Sequence, residues 1–217
     1  SFENSKQLTC GDGGIVTCND EKLATLIRKK GGLGFKSLTA ESGKVRTDRD
    51  KLQNPSWDRF DEIGYNYRMN QVGAAIALAQ MERAQYFIDL RRAMGLAYTD
   101  TLSNSKLLTP QLVLDGYYHT YYTFSAKFHG KNLGVAWEDF RKKYIEFGGD
   151  GIYAASKLQH QEPAFRDRKI GYGETPVAED LQENLMNFTT NQANAEERNI
   201  QITAMRKTQE YFGDTLS

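Results

Sequence analysis

The chain has 217 residues, 39% of them hydrophobic, with 28 Lys and Arg balanced by 28 Asp and Glu. A chain this long buries a substantial core, in one large domain or two small ones. The zero formal charge removes the usual footprint of nucleic-acid binding, and no stretch reads as a transmembrane helix or a signal peptide.

Cys10 and Cys18, the two cysteines, make neither a metal site nor a disulfide framework. They read as reduced thiols of a cytoplasmic protein. The opening Ser1-Phe2, without Met, reads as the middle of something longer. Residues 12 to 18, entered through glycines, predict a short strand. Asn19 or Asp20 caps a helix from Glu21, with Leu23, Leu26 and Ile27 on one face, and Gly31-Gly32 stops it. Arg28, Lys29 and Lys30 at its end, like Arg141, Lys142 and Lys143 later, read as solvated charge. Residues 35 to 60 are polar and irregular around Pro55 and predict a long loop.

Asn70 caps a second helix whose apolar positions run from Val72 through Ile76, Phe87, Leu90 and Met94 to about residue 100, with Arg83 on one expected apolar site. Gly73, Ala74, Ala75 and Ala77 crowd its first turns and allow a close backbone approach, within one chain or across a subunit interface. Residues 117 to 128 are aromatic and β-branched and predict a strand. Their rings read as sheet core in preference to a base-stacking platform. A helix over 135–147 carries Trp137, Phe140, Tyr144 and Phe147, and 152–155 predict a short strand. Asn194 and Glu197 make a capping box for a last helix with Ile202, Met205 and Phe212 inward. Alternation of strand and helix gives an α/β or α+β class.

Two clusters carry chemistry. Lys6 sits four residues after Phe2 and just before Gly11-Asp12-Gly13-Gly14. A lysine attacks an aldehyde only when it is partly deprotonated, and neighbouring glycines let bulky cofactor atoms approach. Taken alone, the spacing is a weak signal and reads as an ordinary surface lysine. Gly64-Tyr65-Asn66-Tyr67-Arg68-Met69 precedes the second helix. Asn66 offers both donor and acceptor, and Arg68 a planar fork for phosphate or carboxylate; a turn with packed tyrosines and a paired arginine is the plain alternative.

Taken together, Ser-Phe-x-x-x-Lys, Gly-Asp-Gly-Gly, Thr-Cys-Asn-Asp and Gly-Tyr-Asn-Tyr-Arg-Met before an Ala-rich helix resemble the DegT/DnrJ/EryC1/StrS family of sugar aminotransferases. Residues 158 to 165, Leu-Gln-His-Gln-Glu-Pro-Ala-Phe, are similar to that family's Leu-His-Leu-Gln-Pro-Ala-Tyr stretch. The resemblance implies the α/β fold type I of pyridoxal-phosphate transferases, here incomplete: 1–88 as the end of the large cofactor-binding domain, 89–217 as the small C-terminal α+β domain. It implies pyridoxal phosphate as cofactor, held covalently by Lys6, with Ser1 on the cofactor phosphate. It implies that Asn66 reaches the phosphate of the neighbouring subunit, which makes a homodimer with a shared site, and that Arg68 and His160 lie near the sugar nucleotide. By itself His160 reads as a packed or exposed histidine. The implied reaction moves an amino group, with glutamate as donor, to a keto-deoxy nucleotide sugar by ping-pong kinetics, in polysaccharide or amino-sugar biosynthesis. Neither nucleic acid, membrane nor metal takes part.

The family's enzymes are nearly twice this length, and the part before Lys6 normally supplies the ring that stacks on the cofactor, a phosphate-binding turn and the Asp on the pyridine nitrogen. The chain alone is therefore expected to be weakly active or inactive and to expose apolar surface at its N-terminal edge. The 34–60 loop reads as a subgroup insertion over the sugar site. Asp12 stands in place of the commoner Glu, and residues 185 to 191 replace a proline-rich turn. The rival readings are a sugar dehydratase of the same family, which carries His in place of the lysine, and a non-catalytic binding or regulatory protein on the same fold.

Overall fold

The computed structural model describes residues 1–43, 49–169 and 175–214. They form two compact units, Ser1–Ala84 and Gln85–Ser217.

In the first unit, α1 (Glu21–Gly31) starts where Asp20 Oδ1 accepts the Leu23 N–H at 2.8 Å, a side-chain cap for one orphan donor. Glu21 in the first turn and Arg28, Lys29 and Lys30 in the last complement the helix dipole. The cations at this helix end are not simply solvated, as the sequence suggested. Lys29 Nζ pairs with Asp61 at 2.6 Å and Lys30 Nζ with Glu62 at 2.7 Å, while Arg28 donates to Thr39 O at 2.9 Å. They pull the 61–62 segment onto the helix end.

That attachment is closed by backbone. Gly34 has φ +78°, and a Cβ built there would fall on Glu62 O. A Cβ on Gly64 would overlap Gly34 N and lie 2.6 Å from Lys29 O. Only hydrogen atoms fit between these chains. Leu33 N–H then donates to Tyr65 O (2.9 Å), Tyr65 N–H to Lys30 O (2.6 Å) and Tyr67 N–H to Gly31 O (2.8 Å). Two isolated antiparallel bridges, Gly32 with Asn66 and Phe35 with Phe60, complete the clasp.

The predicted loop 35–60 holds a short helix, α2 (Arg49–Gln53); its residues 44–48 lie outside the described residues. Residues 12–18 pair with no strand among the described residues, so the β-branched pair Ile15 and Val16 stands 68% exposed at each residue. The single long helix predicted from Asn70 is two: α3 (Gln71–Glu82), capped by Asn70 Oδ1 on Gly73 N–H at 2.7 Å, and α4 (Ala84–Thr101). They part at Arg83, whose φ −105° and ψ 9° leave the helical region. This is the position at which a cation replaces the expected apolar residue.

The second unit carries a four-stranded antiparallel sheet in the order β1 (Leu108–Pro110), β2 (Phe124–Phe128), β4 (Leu185–Phe188), β3 (Ile152–Ala154). The register sets Phe124 and Ile152 opposite Phe188, and Ala126 opposite Met186. Phe124, Ala126 and Phe128 alternate inward along β2, the period expected of a half-buried strand. They meet Met94 and Tyr98 of α4, Phe140 and Tyr144 of α5 (Trp137–Glu146), and Ala204 and Met205 of α8 (Ala195–Tyr211) in one core. Two shorter helices, α6 (Pro163–Arg166) and α7 (Pro176–Asn184), follow β3.

The predicted strand over 117–128 is reduced to 124–128 because α4 holds its first half by side chains. Arg92 donates to His119 O (2.6 Å) and lies 3.8 Å over the Tyr118 ring; Arg91 donates to Tyr122 O (2.9 Å). Tyr121 takes φ +48° and buries its ring against Gly95. The predicted capping box of α8 forms with a shift: Asn194 Oδ1 accepts the Glu197 N–H, but the Glu197 carboxylate takes the N–H of Ala193.

Within this core Tyr144 donates to Gln201 Oε1 at 2.8 Å, which commits its proton, so Tyr98 donates to Tyr144 at 2.9 Å. Burial pushes both phenols well above their ordinary range. Tyr144→Phe strands the Tyr98 donor and is expected to cost about 1–3 kcal/mol, whereas Tyr98→Phe leaves the bond to Gln201 intact and costs about 0.5–1.5 kcal/mol, in urea unfolding. Because the folded phenols resist ionisation, stability is expected to hold below about pH 10 and to fall above it, as the unfolded tyrosines lose protons first. In the first unit, Gly34→Ala and Gly64→Ala are each expected to destabilise by about 1–3 kcal/mol. Gly43→Ala, with open space around it, is expected to stay within about 0.5 kcal/mol in the same measurement.

Candidate active site

The Lys6 loop is closed at its base. Buried Phe2 donates its N–H to Gly13 O at 2.8 Å, and its own carbonyl accepts the Cys10 N–H at 3.0 Å and the Thr9 hydroxyl at 3.2 Å. Lys6 lies at the far end, exposed, with its backbone N–H on Glu3 O at 2.9 Å. Glu3 braces this tip. Its carboxylate accepts the Ser5 hydroxyl at 2.6 Å and the Ser5 N–H at 3.0 Å; those bonds, with the Lys6 charge adding, hold it below the usual carboxylate range. Ser1 Oγ accepts the Glu3 N–H at 3.3 Å, which leaves its proton for an outside acceptor. Gln7, next to Lys6, has a buried amide nitrogen with no acceptor among the described residues.

The second cluster is an extended turn zipped to the end of α1. Tyr65 and Tyr67 stack with ring centroids 5.3 Å apart and planes 12° from parallel. Alternation along an extended chain puts Asn66 and Arg68 on the opposite side, both exposed. Arg68 Nε donates to Asn66 Oδ1 at 2.9 Å.

The two motifs meet within this unit. A Cβ on Gly13 would lie 2.5 Å from Met69 Cε and 3.0 Å from Cys10 Sγ, so the lysine loop packs at this glycine against the methionine that ends the Asn-Tyr-Arg turn. A cavity of about 1270 Å³ opens beside this contact, lined among others by Gly13, Gly14, Ile15, Val16, Arg68 and Met69. Ser1, Lys6 and Asn66 lie outside its lining.

His160 belongs to the second unit. It sits in a 3₁₀ turn, Gln159–Gln161, with its side chain 14% exposed and Nε2 3.3 Å from Glu179 Oε1 on α7. The Thr175 hydroxyl donates to the same oxygen at 3.3 Å. The structure thus gathers Ser1, Lys6, Asn66 and Arg68 in one unit and gives His160 a carboxylate partner in the other. Sequence reasoning missed Gln7, whose only signal was adjacency to Lys6, and the Glu3–Ser5 brace. It also missed the Lys29–Asp61 and Lys30–Glu62 pairs, for which two neighbouring cations and two neighbouring acids were the readable sign. Among the described residues no three His, Cys, Asp or Glu are grouped to hold a metal ion, and no helix is long and apolar enough to cross a membrane.

Comparison with solved structures shows where this architecture recurs. The chain superposes on PseC of Helicobacter pylori, an aminotransferase involved in pseudoaminic acid biosynthesis, with a TM-score of 0.74 and 20% identity over 97% of this chain and 52% of that one. An aminotransferase from Psychrobacter cryohalolentis gives 0.81 and 19% over 98% and 55%. DesV of S. venezuelae gives 0.76 and 18% over 100% and 51%. Identities this low establish the fold, a partial α/β domain of the type I pyridoxal-phosphate transferases, and the chain spans about half the length of each of these structures. The sequence model of the DegT/DnrJ/EryC1/StrS aminotransferase family matches residues 1–205, and with that match over the lysine loop, the Asn-Tyr-Arg turn and most of the second unit, the chain belongs to this family.

Proposed function

We propose that this chain supplies the lysine-bearing part of a pyridoxal-phosphate-dependent aminotransferase that moves an amino group from an amino acid, glutamate, to a keto-deoxy nucleotide sugar in amino-sugar or polysaccharide biosynthesis. One observation carries the reading: the Lys6 loop and the Asn66–Arg68 turn are joined at Gly13 and Met69, inside the region that the family model matches.

The residues present suit the cofactor. An exposed amine at a braced loop tip, a serine hydroxyl with its proton uncommitted, and a buried Gln7 amide nitrogen that lacks an acceptor among the described residues suit an aldehyde that carries a phosphate. Bound there, pyridoxal phosphate supplies a carbonyl that condenses with amines and a ring that accepts the electron pair left when the donor's Cα loses its proton. Lys6 Nζ would hold the cofactor and, once displaced by the donor amine, would be free to take the proton from Cα of the amino acid and to deliver one to the carbon aminated in the sugar. Ser1 Oγ–H donates to a phosphate oxygen, and the Asn66 amide does so toward the neighbouring subunit in a homodimer. Held by Glu179, His160 is the candidate for contact with the sugar nucleotide. The enzyme acts in the cytoplasm.

Lys6 also separates this reading from the dehydratase branch, which has histidine in its place. Borohydride reduction of the protein with pyridoxal phosphate is expected to fix the cofactor on the peptide that carries Lys6, and Lys6→Ala to abolish that adduct. An adduct that survives the substitution overturns the assignment. Nitrogen from ¹⁵N-labelled glutamate is expected in the sugar product; a deoxygenated sugar with the label still in glutamate would instead establish the dehydratase.

A further inference from the structure

We infer that Arg68 is a positioning residue for Asn66, acting through its Nε–H on the Asn66 amide oxygen (2.9 Å). The family resemblance implies that Arg68 lies near the sugar nucleotide; its bond to Asn66 points to a task besides that one. This inference rests on the reading that Asn66 contacts a phosphate.

An asparagine amide has a donor end and an acceptor end of nearly the same shape. Only the donor end suits an anion; the wrong rotamer would turn a carbonyl oxygen toward phosphate. Rotation of the amide is therefore the freedom that must be removed. The backbone of this turn cannot remove it, since Asn66 is held by the bridge to Gly32 while the flanking tyrosines are zipped to Gly31 and Leu33. Its side chain is exposed, and Arg68 donates to it from two residues away on the same face. With Oδ1 taken by the guanidinium, the amide NH2 is the end presented outward. A hydrogen bond from a charged donor is the stronger kind, and arginine keeps that charge at all working pH values. Preorganisation of this sort strengthens a phosphate contact without touching the phosphate.

The test is affinity of the protein for pyridoxal phosphate and for pyridoxal, which lacks the phosphate, followed by fluorescence for the parent, Asn66→Ala, Arg68→Ala and the double variant. Arg68→Ala is expected to weaken pyridoxal phosphate roughly three- to tenfold and to leave pyridoxal unchanged. In the Asn66→Ala background the same change is expected to do nothing further. Losses that add, or that strike pyridoxal equally, overturn the inference, because Arg68 then acts directly or only through the fold. If Asn66→Ala weakens the phosphate ligand and Arg68→Ala does not, the inference alone fails. If Asn66→Ala is silent, or the parent binds no cofactor, the reading beneath it fails as well. A second measurement is independent of cofactor: the Arg68 Nε–H signal in NMR is expected to exchange slowly with water in the parent and quickly in Asn66→Ala. Equal exchange in the two means that the bond is absent in solution and overturns the inference.

Discussion

Backbone pressed against backbone at Gly34 and Gly64 is the constraint on which the candidate site depends. A side chain at either position would occupy space held by Glu62 O, Gly34 N or Lys29 O, and Gly34 also needs a left-handed φ that L residues adopt at a cost. With both glycines in place, the end of α1 and the turn before α3 become neighbours. Lys29 and Lys30 then find Asp61 and Glu62. These pairs are partly exposed and contribute modestly as single contacts; their role is to hold the register of a segment whose backbone already fits. Asn66 and Arg68 inherit their places from that register.

The second unit is stabilised differently. Its sheet and three helices share an aromatic core of Tyr98, Phe124, Phe140, Tyr144 and Phe188, in which apolar burial dominates. The polar tips inside it are satisfied in series, Tyr98 to Tyr144 to Gln201, and Gln201 also accepts the Asp150 N–H at 2.9 Å. A single glutamine oxygen thus ties α4, α5 and the turn after α5 to α8. His160 and Glu179 lie in the same unit, on the segments between β3 and β4. They draw on a scaffold with a dense core, whereas the lysine loop depends on a few backbone clasps and leaves Ile15, Val16 and Ile63 exposed.

Much of the fold was legible from local chemistry. The caps at Asp20, Asn70 and Asn194 and the stop at Gly31-Gly32 are each decided within a turn, whereas the rings of Tyr117, Tyr118 and Tyr122, read from sequence as sheet core, stand exposed. The motifs around Lys6 and Asn66 were legible because their residue types and order are unusual together. The break at Arg83 was visible only as one cation in an apolar stripe. The loss of strand over 117–123 was not visible at all, since β-branched and aromatic composition speaks for strand while Arg91 and Arg92, far away in sequence, claim the carbonyls.

The sequence by itself determined the helix caps at Asp20, Asn70 and Asn194, the stop at Gly31-Gly32 and which family the lysine motif resembles, because those depend on neighbours within a few residues. Only the tertiary structure decided that Lys29 and Lys30 are spent on Asp61 and Glu62, that Gly13 lies against Met69, that Gln7 keeps a buried donor without an acceptor among the described residues, and that Arg68 Nε donates to Asn66 Oδ1. Each is a matter of which groups approach in space, and a charge or an amide has no preferred partner until the backbone has chosen one for it.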